Sequence, residues 1–429
     1  MPPAPMSNFD LSVLFFLQLA FILGICRIVG ALFARMGQSQ VVSEMIAGVI
    51  MGPSLMGAFF PSAQAYMFPK ASNTILFAVA QIGLAVYMFT IGLEFDVNLI
   101  KSRMKSALSI SAAGIIAPFF LGGVIALYLY GRPEFFAPSA SSTEVILFMG
   151  ASMSITAFPM LARIIYERGL AGTSLGTLAL AAGSLDDAAA WCVLAIVLAS
   201  FTDTPAFAAT AIGGGVAYVL VVMLLGRPLL ARLGKIVERE GRMSNGMLAV
   251  VLSLVMLGAW FTDYIHIYAV FGAFIMGIAM PRGLFAREVE RLVGPMTTTF
   301  LLPLFFVYSG LNTKIGLVNT PALWLLVGAV IFAATLGKGF ACWAAARLNG
   351  ESNSDALAIG TLMNARGLME LIILNIGLER GIITPTLFTI MVLMAIVTTL
   401  MATPIFERVY RRVPHAAGAV PGTVPDALL

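Results

Sequence analysis

The sequence predicts an all-α polytopic membrane protein of about 13 transmembrane helices, built as two inverted-topology six-helix repeats with one joining helix and two interrupted helices. Three observations predict it. Hydrophobic residues make up 60% of the 429 and charged residues only 11%, far from the roughly 25% charged of soluble domains. Apolar runs of about 17–25 residues, long enough to cross a bilayer, recur from end to end with short connections. Lysine and arginine divide unevenly between alternate loops, 18 in one set and 4 in the other, as cytoplasmic and external loops do. One bundle follows, with no second domain. The net charge of +4 belongs to those loops, so no nucleic-acid partner is needed to explain it.

The elements follow in order. The start "MPPAPMSNFD" has no basic segment and no cleavage site, so after a tail over 1–9 the run at 10–33 is kept as span 1. Spans 2, 3 and 4 are placed at 41–58, 73–93 and 105–130. Span 5, at 143–164, is interrupted at Pro159, which lacks a backbone donor and clashes with the carbonyl of Ile155 four residues back. Span 6, at 172–200, holds two aspartates, and span 7, at 206–226, is the joint. Spans 8, 9 and 10 fall at 244–262, 265–281 and 295–311, and span 11 at 320–346. Span 12, at 354–378, is interrupted at Asn364, Arg366 and Gly367, and span 13 runs over 384–406. The transmembrane domain therefore covers 10–412, and the Pro/Ala/Gly tail over 413–429 is expected to be disordered.

The loop asymmetry puts the N-terminus outside and the C-terminus in the cytoplasm, which requires an odd number of crossings. The two halves also repeat. Span 2 carries "AGVIMGPSLMG" over 47–57 and span 9 carries "GAFIMGIAMP" over 272–281; Gly92-Leu93 ends span 3 as Gly310-Leu311 ends span 10. Both matches are offset by seven spans, so matched helices cross in opposite directions, and inverted repeats favour secondary transport.

Asp186 and Asp187 lie inside "LALAAGSLDDAAAWCVLAIVLA". Carboxylates at membrane depth are costly and usually face a water-filled ion or proton path. Successive helical positions sit about 100° apart, so the two cannot face one partner squarely: one can hold a cation on the protein while the other faces the path. Lys338 is the only lysine deep in a span. A buried ammonium prefers an ion pair, so one of the aspartates is its expected partner, with snorkelling to an interface as the competing reading. Interrupted spans at matched positions of two halves point to a binding site, where Ser154, Thr156 and Asn364 would supply neutral oxygens. The serine and threonine can equally bond their own helix backbone. Arg366 and Glu370, four apart, are assigned to structure and conformational tuning. Glu44, Glu94, Asp263 and His266 read as solvated positions near span ends.

Other chemistries find little support. Cys26, Cys192 and Cys342 are scattered through spans, and His266 and His415 are the only histidines, so neither a disulfide framework nor a resident metal site is indicated. No phosphate-binding lysine loop, HExxH or Gly-x-Ser-x-Gly elbow stands out. An enzyme is not expected, and no cofactor is implied.

Six strings in order carry a resemblance: "SEMIAGVIMGPSLMG" (43–57), "IGLEFD" (91–96), "SITAFPMLARI" (154–164), "SLDDAAAW" (184–191), "GKGFACWAAARL" (337–348) and "NARGLMELIILNIG" (364–377). On these the chain resembles the monovalent cation/proton antiporters of the cation:proton antiporter-2 family, from first span to last. The resemblance implies exchange of Na⁺ or K⁺ for H⁺ across the cell inner membrane by a homodimer. It implies a dimerisation part of helices 1–3 and 8–10, helix 7 as linker, and a mobile core of helices 4–6 and 11–13 in which helices 5 and 12 cross. It also implies that Asp187 binds cation and proton in turn while Asp186 pairs with Lys338, and that the Asp-Asp pair makes exchange electrogenic. Potassium-efflux relatives carry a cytosolic nucleotide-binding domain, which the short stretch after span 13 is not expected to provide. An ion-coupled solute symporter on a similar fold is the alternative.

Overall fold

The computed structural model describes residues 7–410, apart from 37, 39, 95–102, 159–160, 162–163, 166–167, 171–172, 201–204, 266 and 268. Each predicted apolar run contains helix, and nine helices among the described residues are long and apolar enough to cross a membrane. The first half contains α1 (Asn8–Ala34), α2 (Gln40–Met51), the short α3 (Met56–Phe59) and α4 (Pro61–Met67), α5 (Lys70–Glu94), α6 (Met104–Leu129), α7 (Ser142–Ser154) and α8 (Ser174–Ser200). Next comes α9 (Pro205–Leu220), at the expected joint, which continues through a π-helical turn, Val221–Gly226, into α10 (Arg227–Glu240). The second half contains α11 (Asn245–Tyr264), α12 (Ala269–Ala279), α13 (Leu284–Met296) and α14 (Leu302–Leu311), the last two joined by a π turn at Thr297–Leu301. Then come α15 (Pro321–Thr335), a π turn at Leu336–Phe340, α16 (Ala341–Leu348), α17 (Asn353–Met363), α18 (Leu368–Glu379) and α19 (Pro385–Val409).

Side-chain caps set several helix starts. Ser141 and Glu144 form a reciprocal capping box before α7, and Ser244, Thr320, Ser352 and Thr384 each accept a backbone N–H at the starts of α11, α15, α17 and α19. These hydroxyls satisfy donors that a helix cannot satisfy by itself.

Four features differ from the sequence reading. The run at 41–58 is not one rod: α2 stops at Met51, and a turn intervenes before α3, because Pro53 disfavours helix at the residue before it. Beyond residue 226 the joint continues as the amphipathic α10, which buries Leu230, Gly234 and Val237 on one stripe. The run at 265–281 yields only the 11-residue α12. Glu44 is buried rather than solvated, and it accepts a hydrogen bond of 2.9 Å from Gln40 Nε2. Asp263 is exposed as expected, whereas His266 and the Glu94 side chain lie outside the described residues.

Glycines set the closest packing. Gly92 on α5 meets Gly277 on α12, while Gly310 on α14 meets Gly48 and Gly52 at the end of α2; an added Cβ at Gly92, Gly277 or Gly310 would fall within 3.0 Å of facing backbone. Arg282 seals the end of α5 by donating to the carbonyls of Gly92 and Leu93. A second group forms where α6 packs against α7, α8 and α16, and α17 against α16 and α19. Phe16 and Leu32 on α1, Leu224 in the joint and Trp260 on α11 are exposed, as side chains facing lipid or another subunit must be.

Candidate ion-binding site

Two interrupted helices bring the site together. α7 ends at Ser154, and Ile155 turns extended at φ −73°, ψ 135°, at the carbonyl with which Pro159 would clash in a continuing helix. Pro159 itself lies outside the described residues. α17 ends at Met363, and Asn364 to Gly367 lead into α18. The two breaks touch: Ala157 N donates to Ala365 O at 3.0 Å and Thr156 Oγ1 to Met363 O at 3.2 Å. The two interruptions thus satisfy some of one another's freed groups.

α8 brings both aspartates to this region. Lys338 Nζ lies 2.9 Å from Asp186 Oδ2, both side chains fully buried, and Ser111 Oγ on α6 donates to Asp186 Oδ1 at 3.3 Å. The ammonium also donates to Gly114 O at 3.0 Å and to Ser154 O, so its three donors are used. The π turn carries Lys338 inward, and π turns inside α-helices recur at functional sites. Asp187 points elsewhere, as the offset of about 100° between neighbours requires. It is buried, and neither carboxylate oxygen has a hydrogen-bond partner among the described residues. Gly183, one turn earlier on the same face, packs against Phe158 and Leu161 just beyond the break of α7. Asp187 therefore faces the helix interruption, while Asp186 faces α6 and the π turn.

A second buried cation shares the end of α7. Arg366 donates to Met153 O at 2.7 Å and to Ser152 O at 3.4 Å, and its Nη1 lies 3.7 Å from Glu370 Oε2. Thr399 on α19 fixes its backbone, donating to Arg366 O at 2.8 Å and accepting from Arg366 N at 3.1 Å. Lys338 and Arg366 together satisfy the last carbonyls of α7, where the helix dipole is negative. Arg366 sits in the interruption, so its pairing with Glu370 spans the break and does not run along one continuous helix.

The neutral candidates divide. Ser154 Oγ bonds back to Ala151 O at 3.0 Å, the local role open to any helical serine. Thr156 binds across the two breaks, and Asn364 Oδ1 is buried without a partner among the described residues. Gly367 precedes α18 in extended backbone. Sequence reasoning missed Ser111, Gly114 and Thr399. Ser111 stands in an apolar run with several other small residues, and nothing local marks it as a carboxylate's partner.

A helical bundle whose interrupted helices meet around buried carboxylates defines a class, the membrane carriers that bind a small ion at bilayer depth. A family model described as "Sodium/hydrogen exchanger, transmembrane" matches residues 19–411. The chain is 40% identical over 399 residues to the Na(+)/H(+) antiporter NhaS4 of Synechocystis, covering 92% of this chain and 96% of that one. It is 33% identical to the K(+)/H(+) antiporter 1 of Saccharomyces cerevisiae over 92% of its own length but only 46% of the yeast protein's. The sodium proton antiporter MjNhaP1 of Methanocaldococcus jannaschii has a similar fold, with a TM-score of 0.63 at 17% identity, covering 93% of this chain and 99% of that one. The chain belongs to the sodium/hydrogen exchanger family.

Proposed function

We propose that the chain is a secondary monovalent cation/proton antiporter in which Na⁺ or K⁺ and H⁺ compete for Asp187. The observation that carries this reading is the contrast between two neighbouring carboxylates. Asp186 has a lysine and a serine for partners, whereas Asp187 is equally buried with none among the described residues. A bare carboxylate out of water is unfavourable, so Asp187 requires a proton or a cation. One site that takes either in turn gives obligatory exchange, because its empty, charged form is the state least able to cross. Thr156 and Asn364 are the candidate neutral oxygens beside it, and Ser154 supports the site through its backbone carbonyl, which holds Lys338. Arg366 and Glu370 fix the interruption. The alternative of a solute symporter gains no support from the relatives.

Alternating access follows if helices 4–6 and 11–13, here α6–α8 and α15–α19, rock against the remainder around the site. The glycine contacts support an inverted repeat: Gly52 corresponds to Gly277 and Gly92 to Gly310, and the contacts link Gly52 to Gly310 and Gly277 to Gly92. Exchange of the two halves maps one contact onto the other. The loop charge supports an N-terminus outside and a cytoplasmic C-terminus, and the exposed apolar faces of α1 and α9–α11 suit lipid and a homodimer in the inner membrane. Electrogenic exchange needs a proton beyond the one that a cation displaces from Asp187. The coupled trio of Asp186, Asp187 and Lys338 is where that proton is held.

The test is a pH-gradient dequenching assay in proteoliposomes with Na⁺, Li⁺, K⁺ and Rb⁺ added in turn, with and without a voltage clamp. At least one cation collapses the gradient saturably, and clamping changes the rate. A gradient indifferent to all four cations would reject antiport, and a rate indifferent to voltage would reject the electrogenic part.

A further inference from the structure

Among the described residues, proline stands inside three helices: Pro118 in α6, Pro295 in α13 and Pro404 in α19. A proline has no N–H to give the carbonyl four residues back, and its ring pushes that carbonyl off the helix axis. Within a membrane the freed carbonyl takes a donor from a neighbouring element. Pro404 frees Leu400 O, which accepts from Gln38 Nε2 at 3.2 Å. Pro118 frees Gly114 O, which accepts from Lys338 Nζ at 3.0 Å. The other carbonyl on that ammonium, Ser154 O, also lies at a break, because the chain turns extended at Ile155. Lys338 is thus held by two carbonyls at irregularities in helices, and Asp186 takes its remaining donor.

Pro118 also meets the π turn that carries the lysine. It is buried, and an added Cβ on Gly337, the residue before Lys338, would fall 3.3 Å from Pro118 Cα and 3.5 Å from Pro118 Cβ. We infer that Pro118 is a positioning residue for cation/proton exchange: by freeing Gly114 O it tethers Lys338 and keeps that ammonium off Asp187. Asp187 follows the lysine's own partner in sequence, and both its oxygens lack a hydrogen-bond partner among the described residues. The bond to Ser154 O holds the ammonium at the same interruption that Asp187 faces. An ammonium with a donor to spare would turn to those oxygens and compete with the transported cation. Three acceptors for three donors remove that option. The effect on exchange rests on the antiporter reading; the link between Pro118 and Lys338 does not.

Pro118→Ala separates this role from packing. Alanine keeps the Cα and Cβ that Gly337 meets and is the better helix former. It also brings an N–H that competes with Lys338 for Gly114 O. A proline that only bends α6 would act alike whether or not the lysine is there; one that frees a carbonyl for the lysine would not.

The first measurement is a melting-temperature cycle in detergent. Pro118→Ala is made in the wild type and in Asp186→Asn/Lys338→Met, a background that removes both charges together and deprives Gly114 O of the lysine. Pro118→Ala raises the melting temperature more in that background than in the wild type, because there its N–H meets no competitor. The exposed Pro295 is the control: Pro295→Ala shifts the two backgrounds equally. Equal shifts from Pro118→Ala as well would overturn the link. The second measurement is cation-driven proton flux in proteoliposomes. Pro118→Ala raises the half-saturating cation concentration roughly tenfold, the order of one hydrogen bond to a charged group, and lowers the maximal rate by less; Pro295→Ala alters neither. This variant retains both charges, so the flux decides even if the doubly neutral background does not fold. An unaltered half-saturating concentration would overturn the positioning role. Absence of flux in the wild type would count against the antiporter reading instead, and the melting cycle would still decide the link.

Discussion

Asp187 and Lys338 are both buried charges, and opposite responses to their removal separate a functional group from a structural one. Asp187 has no hydrogen-bond partner to lose among the described residues. Asp187→Asn removes an unpaired charge, so thermal stability is unchanged or raised while cation-dependent proton movement ceases; a fall in melting temperature with exchange preserved would reverse the assignment. Lys338 holds Asp186 and two carbonyls. Lys338→Ala leaves a buried carboxylate uncompensated, a loss of about 3–5 kcal/mol, and a melting temperature equal to wild type would refute the ion pair. The aspartates were legible in the sequence because a carboxylate in an apolar run is conspicuous by its cost. Lys338 was legible for the same reason, but its choice of Asp186 came from resemblance to a family. Arg366 as a cap on α7 was not legible at all, because that role joins positions 213 and 214 residues apart, and local spacing suggested only Glu370. Glu44 was misjudged because its depth depends on how α2 packs.

At the scale of elements, interruptions and close approaches govern the structure. Pro159 and the Asn364–Gly367 segment announced two breaks, and the helices stop where those residues place them. The turn after Met51 was missed although Gly52-Pro53 signals it, because hydropathy continues across the turn. The extension of α10 was missed for the opposite reason: "RPLLARLGKIVERE" is polar in sum, and its apolar stripe emerges only at helical period. Gly92 gives the sharpest element-scale prediction. Its added Cβ would meet Phe274 O and Gly277, and two backbones have no rotamers through which to yield. Gly92→Ala therefore destabilises the protein by about 1–3 kcal/mol, read as a lower melting temperature in detergent. The exposed-side Gly328, where a Cβ meets nothing within 4 Å, serves as the control. Equal effects at the two positions would contradict the packing described for α5 and α12.

Across the whole molecule the all-helical membrane architecture was legible where single elements were not, because composition and the recurrence of apolar runs are sums over many residues and tolerate local error. Each predicted run contains helix, and nine helices among the described residues are long and apolar enough to cross a membrane; α12 and the halves of the interrupted helices are too short to be counted by length. A carrier of this kind works only if one centre is shared. Cation and proton must therefore be linked reciprocally, each weakening the other's binding by the same factor. The direct measurement is proton release from purified, lightly buffered protein on addition of the transported cation, followed with a pH indicator alongside cation binding. The account predicts release of about one proton or more per cation bound, an apparent cation affinity that falls about tenfold per unit of acidification for each proton released, where the proton-loaded form dominates, and no release from Asp187→Asn. Cation binding without proton release, or release undiminished in that variant, would contradict it.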